Sequence, residues 1–202
     1  MKKGCLVAIV VVLILGAVIA GLVSWGIGIY NTMVSNEEGV NQGWSQVENV
    51  YQRRADLIPN LVETVKGYAS HEKEVLVGVT EARAKMGGQV NVGSDVLNNP
   101  QAFQQFQQMQ SGLTQALQRL MVVVERYPEL KADQRFADLQ RQLEGTENRI
   151  AVERRRFNEL VQSYNTTIRK FPDAMFAGMF GFQQKQYFQA QEGVDVVPQV
   201  KF

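Results

Sequence analysis

The spacing of apolar positions along this chain changes once. From Leu6 to Tyr30 they are nearly continuous, and no charged residue interrupts them. Beyond Tyr30 they recur at three- and four-residue steps among Gln, Glu, Arg and Lys. A continuous run of about 20 apolar residues suits a helix that spans a bilayer. The three-and-four spacing is one face of an amphipathic helix.

Four such helices follow the span. The first carries Met33, Val40, Trp44, Val47 and Tyr51 on one face. A second is predicted to start at Asp56, whose carboxylate would cap an orphan N–H, with Pro59 in the first turn where no intrahelical donor is needed. Its stripe runs from Ile58 through Leu61, Val65, Leu76 and Val79 to Met86, and Gly87-Gly88 would end it. Residues 87 to 99 read as a polar loop. Asn99-Pro100 is a start signal for the third helix, which shows Phe103, Phe106, Leu113, Leu117, Leu120 and Val124. The fourth would be capped by Asp133 and shows Phe136, Leu143, Ile150, Phe157, Tyr164 and Ile168.

No alternating strand pattern of useful length precedes the tail. Short connections favour antiparallel neighbours, and one-sided helices must bury their faces together. The predicted fold is all-α: an N-terminal transmembrane helix, then an antiparallel up-and-down four-helix bundle with long helices. The expected divisions are a short basic N-terminus at 1–5, a membrane anchor at 6–30, the bundle at 31–172, and an apolar segment with an extended tail at 173–202.

Charge then sets location. Lys2 and Lys3 precede the span, whereas Asn31 to Gln52 holds only the acidic Glu37, Glu38 and Glu48. The positive-inside rule places the N-terminus in the cytoplasm and the bundle outside it. Val18-Ile19-Ala20 could be read as a signal-peptidase site, but Leu22, Val23, Trp25, Ile27 and Ile29 carry the apolar run past it, which favours an anchor. Cys5 precedes the apolar stretch, the wrong order for a lipoprotein. A net charge of +1 does not resemble the basic footprint of a nucleic-acid binder.

Candidate chemistry is sparse. There is one Cys and one His, so no intramolecular disulfide and no multi-histidine metal site can form. His71-Glu72 lacks a second ligand at helical spacing, and Ser70 cannot face His71 on a helix. No catalytic residue, cofactor or metal is expected. Arg154-Arg155-Arg156 point in different directions on a helix and read as a mixed-charge surface. Arg53, Arg54, Asp56, Pro59 and Asn60 are expected to form a capped structural turn at the membrane-distal tip. Met175, Phe176, Met179, Phe180 and Phe182 crowd together after the last helix. They would either close the membrane-proximal end of the bundle as a lid or meet a partner or the bilayer interface. The partial alternation of Val194, Val196, Val197, Val200 and Phe202 suggests an extended strip lying along the bundle or pairing with another chain.

Several motifs point to a family. They are Trp44-Ser45, the run Arg53–Val62 (RRADLIPNLV), Glu63–Ala69 (ETVKGYA), His71-Glu72, Tyr164-Asn165-Thr166, Phe171-Pro172, Gly181-Phe182 and Tyr187-Phe188. With Pro198 and Phe202 near the end, the chain resembles the bacterial LemA family over essentially its whole length. The resemblance implies a single-span bacterial membrane protein with an antiparallel helical body and carries no enzymatic activity with it. It also implies a body in the cytoplasm, whereas the charge asymmetry places the body outside it. The expectation is a non-enzymatic scaffold or adaptor of the bacterial inner membrane. It would contact the lipid bilayer through residues 6–30, other membrane or envelope proteins, and further copies of itself. A regulator or sensor of a membrane protease or signalling protein is the alternative, and a membrane-surface enzyme a third.

Overall fold

The computed structural model describes residues 3–86 and 93–189. Six helices form it: α1 (Lys3–Tyr68), α2 (Lys73–Met86), α3 (Pro100–Val124), α4 (Pro128–Ala132), α5 (Gln134–Thr167) and α6 (Asp173–Phe180). A short 3-10 turn, Ser94–Asn98, precedes α3. There is no strand among the described residues, and the expected all-α class holds. Gly87-Gly88 and the strip at 193–202 lie outside the described residues.

The first helix is longer than its sequence pattern suggests. α1 is 66 residues long, about 100 Å at 1.5 Å per residue. Its N-terminal part is long and apolar enough to cross a membrane, and the rest of the protein buries none of its most apolar 18-residue stretch. Its C-terminal part turns Met33, Val40, Trp44, Val47, Tyr51, Ile58, Leu61 and Val65 inward on one continuous face.

This overturns the expected turn at Arg53, Arg54, Asp56, Pro59 and Asn60. The helix runs through all five. Pro59 cannot donate to the carbonyl of Ala55 four residues back, which ordinarily breaks or kinks a helix. Here Arg83 of α2 donates from Nε to that carbonyl at 2.9 Å. The acceptor freed by the proline is satisfied from a neighbouring helix. Asp56 caps nothing; it is exposed and accepts from Gln52 one turn earlier at 2.7 Å. The real turn is Ala69–Glu72, where the N–H of Ala69 bonds to Val65 and that of Glu72 to Ala69.

The later helix starts follow the sequence. Asn99 accepts from the N–H groups of Gln101 and Ala102, with Pro100 at the first helical position. Asp133 accepts from the N–H of Phe136. Part of the expected polar loop is ordered instead, because Val96 and Leu97 in the 3-10 turn are buried.

α5 returns antiparallel along α1, with Asn36 of α1 bonded to Thr167 at the end of α5. The two approach closely at Gly43, where a Cβ would stand 2.6 Å from Leu160 Cδ1. α2 and α3 pair beside them. At the centre Trp44 meets the rings of Phe103, Phe106, Phe157 and Phe188 at 5.2–6.1 Å. Phe188 belongs to a strip after α6 that two asparagines of α5 grip by its backbone. Asn165 bonds both the N–H and the carbonyl of Lys185, and Asn158 does the same for Phe188.

Candidate functional site

Two regions concentrate chemistry: the junction of span and body, and a set of polar groups buried inside the body. At the junction, α6 lies against the end of the apolar part of α1. Phe176 meets Trp25 edge to face at 5.9 Å and covers Gly26, where a Cβ would come within 3.4 Å of its ring. Phe180 and Phe182 meet Tyr30 at 5.0 and 5.8 Å. Gly181, at φ +78°, takes the left-handed conformation that ends α6.

The five candidate contact residues divide by direction. Phe176 and Phe182 are half-buried and pack against the core. Met175 and Met179 are 66% and 74% exposed, and Phe180 is 49% exposed. The segment is therefore part packing and part open apolar surface.

Inside the body, Arg54 is 1% exposed although the sequence places it in a polar run. Its guanidinium donates to Thr114 Oγ1 at 3.0 Å, to Glu147 at 2.9 Å, and to the Gln110 side-chain oxygen. It also lies 5.1 Å from the ring centre of Tyr51. Arg54 thus joins α1, α3 and α5 at mid-body and is no part of a tip turn. Burial is the main cause that pushes the Tyr51 hydroxyl above its ordinary value, against the pull of Arg154 and Arg54.

A second buried cation lies nearer the membrane. Lys185 is 6% exposed and donates to Glu37 at 2.6 Å and to Asn98 at 2.8 Å. Its ammonium stands 5.7 Å from the ring of Tyr164, whose hydroxyl is pushed above the ordinary phenol range by burial and then by Glu37. Sequence patterning missed both cations. One signal was available for Arg54: Gln110 interrupts the stripe Phe106, Leu113, Leu117 and is buried. A polar residue at a core position needs a partner.

At the far tip, the Tyr68 hydroxyl donates to Asp133 at 2.7 Å and that of Tyr127 to Glu72 at 3.1 Å. The N–H of Phe136, and then Tyr68, hold the Asp133 carboxyl below its usual value. His71 is exposed in the turn there. The three consecutive arginines diverge: Arg154 lies over Phe188, Arg156 pairs with Glu153, and Arg155 is exposed. No group of three or more His, Cys, Asp or Glu is placed to hold a metal among the described residues.

Comparison with known proteins adds a lineage. A family model described as the LemA family matches residues 43–202, which takes in the body from Trp44 onward. Magnetosome protein MamQ 2 of Paramagnetospirillum magneticum is 28% identical over 189 residues, covering 85% of this chain and 70% of that protein. Magnetosome protein MamQ of Magnetospirillum gryphiswaldense matches at 28% over 189 residues, with the same coverage. Protein LemA of Metamycoplasma hominis is 22% identical over 166 residues, covering 82% of this chain and 71% of that protein.

Proposed function

This chain belongs to the LemA family, and from that premise we propose that it is a non-enzymatic scaffold or adaptor anchored in the bacterial inner membrane. The observation that carries the reading is α1. One uninterrupted helix serves as both membrane span and central body helix, so the body is held at a fixed height above the bilayer. A stiff helix of this kind transmits position and orientation.

The buried ionisable groups support the same reading. Arg54 and Lys185 are engaged in joining helices, each with several partners. The relatives named as magnetosome proteins are named for the structure they belong to and not for a reaction. The sides of α2 and α3 are the surface offered to other envelope proteins or further copies of the chain. They expose Val77 and Val122, at 52% and 69%. Between them lies a shallow groove of about 830 Å³ lined partly by Gly78, Ala82, Met109 and Ala116.

Photo-crosslinking residues at positions 77 and 122, used in intact membranes, test this. A discrete crosslinked species, either a homo-oligomer or one recurring partner, is expected from both positions. Monomer alone from both would overturn the scaffold reading. The N-terminus is proposed to be cytoplasmic and the body extracytoplasmic, from Lys2 and Lys3 against Glu37, Glu38 and Glu48. An alkaline phosphatase fusion after Phe202 should be active in cells, and a fluorescent-protein fusion there that requires the cytoplasm should be dark. The reverse pattern would invert the orientation.

A further inference from the structure

We infer that α6 is a lipid-facing helix, its outward side immersed in the bilayer boundary beside the last turns of the span. The protein would then touch the membrane twice. The composition of α6 is the first ground. Its sequence, DAMFAGMF, is uncharged after Asp173, and a helix apolar all round is either buried in protein or surrounded by lipid. The protein supplies little cover, since Ala177 is the one residue of α6 that it buries. Phe171, just before the helix, is 84% exposed, and Met175 and Met179 are 66% and 74% exposed.

Position is the second ground. α6 is seated on Trp25, Gly26 and Tyr30, at the body end of the apolar run. The 25 residues from Leu6 to Tyr30 extend about 37 Å as helix, whereas the hydrocarbon core is about 30 Å thick. The surplus of about 7 Å falls within the depth of 5–10 Å at which an interfacial helix sits, roughly half its diameter. Trp25 and Tyr30 are residue types that settle at this boundary.

The flanking residues are the third ground. Arg169 and Lys170 are exposed immediately before the segment, and Gln183 and Gln184 immediately after it. An apolar helix thus enters from cationic side chains suited to lipid phosphates and leaves through neutral polar ones. A protein partner would need to cover this face while leaving room for the lipid around Trp25, so the bilayer is the occupant that the continuity with the span favours.

Spin-label accessibility separates the possible occupants. Full-length protein carrying Cys5→Ser, with a nitroxide on a cysteine at position 175, 179 or 162, would be placed in nanodiscs of phosphatidylcholine and phosphatidylglycerol. Met175 and Met179 are mostly exposed, so labelling should leave the helical content unchanged. Lipid immersion predicts strong collision with oxygen and weak collision with a water-soluble nickel chelate at 175 and 179, as for a label at Val12. The control at Gln162, exposed on α5, should show the reverse. Nickel access like that of 162 at either α6 position overturns the inference. Weak collision with both agents also overturns it, because protein would then cover the face. A lipid-like result from a protein that crosslinks only as monomer would keep this inference and remove the scaffold reading.

Discussion

At the scale of single residues, partners distant in sequence decide what a side chain does. Pro59 is tolerated because Arg83 reaches Ala55. The two should therefore be energetically coupled. Arg83→Ala leaves the Ala55 carbonyl unpaired and is expected to cost about 1–3 kcal/mol. In a Pro59→Ala background the helix supplies its own donor, and the same substitution should cost less. Chemical denaturation of the four proteins in detergent measures the coupling, and a cycle that sums to zero would refute it. Arg54→Met is expected to cost about 2–3 kcal/mol, near the low end for breaking a buried pair, because Glu147 is 39% exposed. Adding Gln110→Leu should recover part of that loss by removing the amide left without a partner.

At the scale of elements, caps and pairings fix where helices begin. The start of α5 rests on Asp133, whose carboxylate serves Phe136 and Tyr68 together. Its folded pKa is lowered, so its contribution is present above the unfolded value of about 3.9 and is lost as pH falls through the folded value. Asp133→Asn can still cap but carries no charge. The melting temperature of the wild type should exceed that of the variant at pH 7, and the difference should shrink as pH falls below about 4. A difference independent of pH would show that the carboxylate charge contributes nothing at the tip.

At the scale of the whole molecule, the seam between α1 and α5 holds body and stalk together. Gly43 is a close point of it, with room for no Cβ unless Leu160 moves. Gly43→Ala gains about 1 kcal/mol of helix propensity and must move only the end of Leu160, a partly exposed side chain, so a change within about 1 kcal/mol is expected. Gly43→Leu would push the helices apart and is expected to cost at least about 1–3 kcal/mol. Denaturation midpoints check both; equal stability for the glycine and leucine proteins would show that the seam is not close-packed.

Local pattern alone identified the span, the amphipathic faces, and the caps at Asn99 and Asp133. Each depends on residues within one or two turns of one another. It misplaced the first boundary for the same reason: Pro59 after Asp56 is a valid helix start judged locally. Only the tertiary structure brings Arg83 to the Ala55 carbonyl, Gln110 and Glu147 to Arg54, and Glu37 to Lys185. It alone lays α6 against Trp25 and Tyr30. Apolar spacing fixes which face of a helix is buried, because burial depends on area and not on the identity of the partner. A hydrogen bond or ion pair is directional and short-ranged, so its partner is decided only once the chain has folded.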